Sequence, residues 1–253
     1  MKCNNLNYYF FDRLKCVEQN LYAYKKDMNP ERMHILRVEI KKVKGLISFV
    51  ECTCKEKNDI NKLKPLFKEA GDIRELEINI LLLSALPQLP EELIIQLEEK
   101  EKILVQQFIA NNAQYIDSVQ RFREEISLPN WLPDEKTIKN YFKKKISKAN
   151  NKLPSNDRID MHHFRIEIKE IMYVYNALPK KLQKSVKLNK TYIDKLQIKA
   201  GDWHDTYVAI DYLSQQQFPQ QVDEYISKLN EKESNQFNEL LQYRKKHENA
   251  MIK

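Results

Sequence analysis

The sequence predicts an all-α protein built as one domain of two related helical halves. Three observations carry this. Helical periodicity recurs through almost the whole chain. The prolines fall between the periodic segments, where helices stop. Only 3 of the 253 residues are glycine, while 31% are charged, which disfavours the turn-rich layout of an all-β fold.

The first periodic segment runs over 4–27. Asn29 and Pro30 open a second helix at 30–52, with Asn as the cap and Pro at the first helical position. Further helices are predicted at 59–70 and 72–86, at 91–127 with an interruption inside it, and at 134–152. The remaining ones are 157–178, 180–199, 202–217 and 233–251. Pro87, Pro90, Pro129, Pro133, Pro154, Pro179 and Pro219 separate these segments. No strand pair, Asn-Gly hairpin signal or low-complexity tract interrupts the pattern.

Composition removes several function classes. The best apolar run, "INILLLSAL" at 78–86, is far shorter than the ~20 residues that span a bilayer. The N-terminal "MKCNNLNYYFFDRLKC" has neither a clean apolar segment nor a small-residue cleavage site, so the chain is read as cytoplasmic, with no membrane partner. Cys3, Cys16, Cys52 and Cys54 then read as reduced thiols. Cys52 and Cys54 are too close for a usual zinc pair and have no second pair to complete one. The formal charge of +7 suits an anionic partner, and equally a soluble helical protein whose lysines face water.

The chain repeats itself. "MHILRVEIKKVK" at 33–44 finds a partner in "MHHFRIEIKEIM" at 161–172, an offset of 128 residues. His34, Arg37 and Lys41 align with His162, Arg165 and Lys169. The apolar stripe aligns too: Leu36, Ile40, Val43, Ile47 and Val50 with Phe164, Ile168, Ile171, Tyr175 and Leu178, and Glu39 with Glu167. A second block follows in the same order. "AGDIRELE" at 70–77 parallels "AGDWHDTY" at 200–207, so that Gly71, Asp72, Arg74 and Glu75 match Gly201, Asp202, His204 and Asp205. Two such coincidences imply duplicated halves, about 4–129 and 130–250, joined near Pro129 and Pro133.

On a helix, steps of 0, 3, 7 and 10 residues share one face. That face carries His34, Arg37, Lys41 and Lys44 in the first half, and His162, Arg165, Lys169 and Met172 in the second. It adjoins the apolar stripe. If both stripes enter one core, both basic faces border a common cleft, and an anion there relieves the repulsion between stacked like charges. Lys145 and Lys148 share a side of the helix leading into the second motif. Lys195 and Lys199 lie on the helix leading into Gly201.

The pattern His-x-x-Arg-x-x-x-Lys, given twice and followed each time by a Gly-Asp segment, resembles the CHAD family, the conserved-histidine α-helical domain, over about residues 4–250. The resemblance implies an all-helical fold of two pseudo-symmetric bundles around a central basic groove or pore, and binding of inorganic polyphosphate, with association with polyphosphate granules as a further expectation. It implies phosphate-facing roles for His34, Arg37, Lys41, Lys44, His162, Arg165 and Lys169, and places Arg74 at the family's Arg-Asp position. Lys145, Lys148, Lys199 and His204 complete the candidate set. Met172 departs from the pattern, standing where a second basic residue is usual, and Glu75 stands where Asp is usual. A row of Lys and Arg on rigid helices matches a linear polyphosphate by position alone, and binding should weaken steeply with salt. His34 and His162, near first helical turns, are expected to gain charge near pH 6–7 and strengthen it.

Two other readings stand beside this one. A phosphate-ester or polyphosphate hydrolase would need a metal or nucleophile site. There is no Walker loop and no nucleophile elbow, and the nearest string to the Glu-x-Glu-x-Lys of triphosphate tunnel enzymes, Glu75-Leu-Glu77-Ile-Asn79, lies on a helix and lacks the Lys. Asp72, Glu75, Asp202 and Asp205 have the chemistry to hold Mg²⁺, and are read in preference as helix caps and salt-bridge partners that orient the basic side chains, with no cofactor or metal expected. His162 and His163 point about 100° apart and do not converge on an ion. RNA binding suits the charge, but no stacking platform of interleaved aromatic and basic residues is present.

Overall fold

A computed structural model describes residues 4–86, 91–151, 157–215, 223–246 and 251–252. Pro87, Pro90, Pro154, Pro219 and Cys3, and parts of the last turns of three expected helices (134–152, 202–217 and 233–251), lie outside these residues. The described residues form ten α-helices: α1 (Asn4–Asp27), α2 (Pro30–Cys54), α3 (Lys64–Ser84), α4 (Glu91–Ala110), α5 (Asn112–Glu125), α6 (Glu135–Asn151), α7 (Arg158–Ala177), α8 (Lys180–Val186), α9 (Lys190–Gln215) and α10 (Asp223–Lys246). An isolated antiparallel bridge joins Leu188 and Ile252.

Local chemistry starts and ends the key helices. Asn29 caps α2, accepting from the Glu31 N–H at 2.9 Å, with Pro30 at the first position. Asp157 does the same for α7 through Ile159 N–H, also at 2.9 Å. His34 and His162 are therefore each the fifth residue of their helix. Lys55 and Lys187 adopt left-handed conformations, with φ of 65° and 56°, and stop α2 and α8.

Four boundaries differ from expectation, at Gly71, Gly201, Lys187 and Asp223, and one expected break is present. α3 runs straight through Gly71 and α9 straight through Gly201, and neither glycine has positive φ. The expected 180–199 helix breaks instead at Lys187, where Leu188 pairs with Ile252. The interruption within 91–127 falls at Asn111, beside Asn112, whose buried side chain donates to the Leu21 carbonyl. α10 begins at Asp223, ten residues before expectation, with Asp223 and Glu224 complementing its dipole.

α2 packs against α3 and α7, α7 against α9, and α9 against α3, so these four close a ring. α1 covers α2, α6 covers α7, α4 covers α3, and α10 covers α9. The apolar stripe lies where the repeat places it. Leu36, Val43, Val50, Phe164, Ile168 and Ile171 are fully buried, and Ile40, Ile47 and Leu178 nearly so. The matched acids Glu39 and Glu167 are buried as well, 5% and 8% exposed. Each is held by a cation from the covering helix: Arg13 of α1 bonds Glu39 at 3.1 Å, and Lys145 of α6 bonds Glu167 at 3.4 Å. Lys42 and Lys148 complete the two pairs at 2.7 and 2.5 Å.

Candidate functional site

Inside the four-helix ring lie two adjoining recesses. The first, about 350 Å³, is lined by His34, Arg37 and Lys41 of α2, Gly71, Arg74 and Glu75 of α3, Arg165, Lys169 and Tyr173 of α7, and Gln197, Gly201, Asp202, His204 and Asp205 of α9. The second, about 280 Å³, is lined by Lys41, Lys44, Gly45 and Ser48 of α2, Phe67 of α3, and Arg165, Ile166, Lys169, Glu170 and Tyr173 of α7. Lys41, Arg165, Lys169 and Tyr173 line both, and form the neck between them.

Local contacts position the basic side chains of α2 and α3 on the lining. The Arg37 guanidinium donates to the Phe67 carbonyl at 2.9 Å and lies 4.6 Å from the centre of the Phe67 ring. Gly71, one helical turn beyond Phe67, lets it do so. A Cβ there would sit 3.1 Å from Arg37 Cζ and well inside contact distance of Nη1. This close approach, and not a turn, explains the glycine. Lys41 Nζ lies 5.9 Å from the same ring. Arg74 is steadied by Glu77 at 2.8 Å. Gly201 has nothing within 4 Å of a Cβ position, so it leaves open space in the first recess. Gln197, also on the lining, is tied to the Ile168 carbonyl at 3.0 Å.

Electrostatically the neck is crowded with one sign. Lys41, Arg165 and Lys169 make no ion pair among the described residues, and Arg165 Nε is buried without a hydrogen-bond partner. Burial, with Arg37, Lys169 and Arg165 close by, pushes Lys41 down to about 7; burial and Arg165 push Lys169 down to about 8. Asp205 is the one acid that acts on both. Its own burial opposes ionisation, but His204, Arg165 and Lys169 hold its carboxyl below the usual range.

The histidines do not behave as the sequence suggests. Desolvation and Arg74 lower His34, while burial, His204 and Arg165 lower His162 to about 4. His204 is lowered chiefly by burial, against the pull of Asp205 3.6 Å away. All three are neutral at pH 7, and the expected gain of charge near pH 6–7 is reversed by these surroundings. His162 lies behind the lining and stacks on His204, ring centres 4.8 Å apart.

Of the candidate residues, His34, Arg37, Lys41, Arg74, Arg165, Lys169 and His204 meet at the first recess and Lys44 at the second. Lys145, Lys148 and Lys199 do not line either. Lys145 is held by Glu167 and, at 2.8 Å, by Glu170; Lys148 is held by Glu167 and faces outward beside Lys143 and Lys144. Lys199 pairs with Glu239 of α10 at 3.2 Å. Met172 is core, 3% exposed. Asp72, Glu75, Asp202 and Asp205 lie inside helices and cap none, and none of them pairs with a Lys or Arg among the described residues; Asp205 lies 3.6 Å from His204. Sequence reasoning missed Phe67, Tyr173 and Gln197 as lining groups. The signal for Phe67 was its i, i+4 spacing to Gly71.

Among the described residues no group of three or more His, Cys, Asp or Glu side chains is disposed to hold a metal ion, and no helix is long and apolar enough to cross a membrane. A family model for the CHAD domain matches residues 9–214. The chain belongs to the CHAD domain family. The crystal structure of the CHAD domain from the plant Ricinus communis is similar to it, with a TM-score of 0.66 and 14% identity, covering 96% of this chain and 90% of that one. At that identity the likeness is one of fold, and the all-helical arrangement of this CHAD domain agrees with it. No curated protein matches the chain.

Proposed function

We propose that this CHAD domain binds inorganic polyphosphate without catalysis, along the groove formed by the two recesses. The observation that carries the reading is the neck: Lys41, Arg165 and Lys169 converge there from two helices, partly buried and without ion pairs among the described residues. Partly desolvated like charges raise the energy of the folded protein. A chain of phosphates, each with about one negative charge and no base or sugar to be read, offsets that repulsion by position alone. Arg37, Arg74 and Lys44 extend the cationic row on either side. A cytoplasmic location, with association with polyphosphate granules, goes with this reading.

Titration calorimetry with long-chain polyphosphate, orthophosphate and single-stranded RNA at two salt concentrations tests it. Long polyphosphate should bind tightest. If six cations each neutralise a phosphate, the logarithm of affinity should fall against the logarithm of salt with a slope of roughly −4, taking single-stranded nucleic acid as the guide. A preference for RNA, or binding indifferent to salt, contradicts the reading.

A further inference from the structure

We propose that capture of a phosphate chain at the neck is coupled to proton uptake by Lys41 and Lys169, so that the groove holds its ligand in neutral solution and lets go as the pH rises. The ligand in this inference rests on the polyphosphate reading; the protons rest on the geometry of the neck. Lys41 faces Arg37 on its own helix, Arg165 and Lys169 on α7, and Asp205 on α9, with Arg74 and Glu75 of α3 across the first recess. Glu170, the acid of the second recess, is already held by Lys145. Neither lysine has a carboxylate at ion-pairing distance among the described residues; Lys41 Nζ lies 5.9 Å from the centre of the Phe67 ring, and Asp205 acts on it from farther than ion-pairing distance.

Arginine keeps its proton at every pH a protein experiences. The crowding at the neck is therefore relieved by the lysines, which can become neutral amines. Burial first, and the neighbouring cations second, bring their values down to about 7 and about 8. The groups interact, so they titrate as a pair. His34, His162 and His204 are lowered by burial and neighbouring cations, so in the free protein the charge that changes above pH 7 belongs to the lysines.

A polyanion at the neck favours the charged amines and draws their values back toward the ordinary lysine range. Binding then takes up protons between about pH 7 and 10. Affinity falls as pH rises, by up to about tenfold per pH unit for each lysine that is neutral in the free protein. The pair acts on folding in the opposite sense. Over that range the unfolded chain holds protons that the folded chain lacks, so their contribution to stability rises with pH.

The experiment is calorimetry with long polyphosphate at pH 8 in two buffers of different ionisation enthalpy. Internal phosphates of a long chain are strong acids, so the protons counted belong to the protein. Uptake of about one proton or more is expected, and Lys41→Arg, which fixes a charge at that position, should take up fewer. Binding with no proton uptake overturns the coupling and leaves the polyphosphate reading standing. Failure to bind polyphosphate at any pH overturns that reading instead. Carbon-13 NMR of lysine Cε atoms tests the residues without ligand: one signal should titrate near neutrality and vanish in Lys41→Arg. If every lysine titrates near 10, the proposal fails whatever the protein binds.

Discussion

Replacing Arg37 and Arg165 together by alanine should lower the affinity for long polyphosphate by roughly 10²–10⁴-fold. A charge-assisted hydrogen bond in a partly buried site contributes about 1.5–3 kcal/mol, or roughly 10–100-fold for each arginine. The cost to folding should be small. Arg165 makes no ion pair among the described residues, so its removal relieves part of the repulsion at the neck, while Asp205 keeps His204 and Lys169 beside it. Arg37 surrenders one hydrogen bond and its contact with Phe67, about 1–2 kcal/mol together. Gly71→Ala belongs to the same experiment. It deletes no charge, and alanine suits a helix interior better than glycine by about 0.5–1 kcal/mol. Its methyl group nonetheless displaces the Arg37 guanidinium from Phe67, so binding should weaken, while the helix gain offsets part of the lost Arg37 contacts and keeps the change in stability to about 1 kcal/mol. Calorimetry beside chemical denaturation separates the two effects. An unchanged affinity in the double variant would remove these arginines from the site.

Glu233→Ala should lower stability by about 2–4 kcal/mol. Glu233 is 4% exposed and accepts from Trp203 Nε1 at 2.6 Å and from Arg158 at 3.1 and 2.9 Å. Trp203 is fully buried, and without Glu233 its indole N–H loses its acceptor. Arg158, 41% exposed, turns partly to water, which keeps the loss below that of a fully buried pair. In a chain of this size the loss corresponds to roughly 5–15 °C in Tm. Glu233→Gln keeps an acceptor for Trp203 and should cost less. The network also sets the site. Trp203 stands between Asp202 and His204, so tying it to α10 fixes the rotation of α9 that turns His204 and Asp205 toward the recess. Thermal and denaturant unfolding measure the loss; a change under about 1 kcal/mol would show that the network does not hold α10 in place.

What the sequence makes legible follows from periodicity. The matched registers at 33–44 and 161–172 place Leu36, Ile40 and Val43, and Phe164, Ile168 and Ile171, in the core. They place Arg37, Lys41, Arg165 and Lys169 on the flank that lines the recesses, because a 3.6-residue repeat settles both at once. The rest depends on partners distant in the chain. Gly71 reads locally as a break, yet it sits mid-helix because Arg37 of another helix needs its missing side chain. Lys145 has the right helical side and the wrong partner, since Glu167 and Glu170 come from α7. Lys199 is drawn to Glu239, forty residues on. The histidines err in sign for the same reason: a solvated histidine gains charge near neutrality, but burial and neighbouring cations keep His162 and His204 neutral. The role of Glu233 has no sequence signal, because nothing in its helix announces that Trp203 and Arg158 will meet it.

Where an anion settles decides whether the two repeated helices act together. A crystal structure of the protein with tripolyphosphate should place successive phosphates between Arg37 and Lys41 of α2 and Arg165 and Lys169 of α7, with Lys44 at one end and Arg74 at the other. Phosphates found instead on the outer lysines of α6, Lys143, Lys144 and Lys148, with none between α2 and α7, would contradict it.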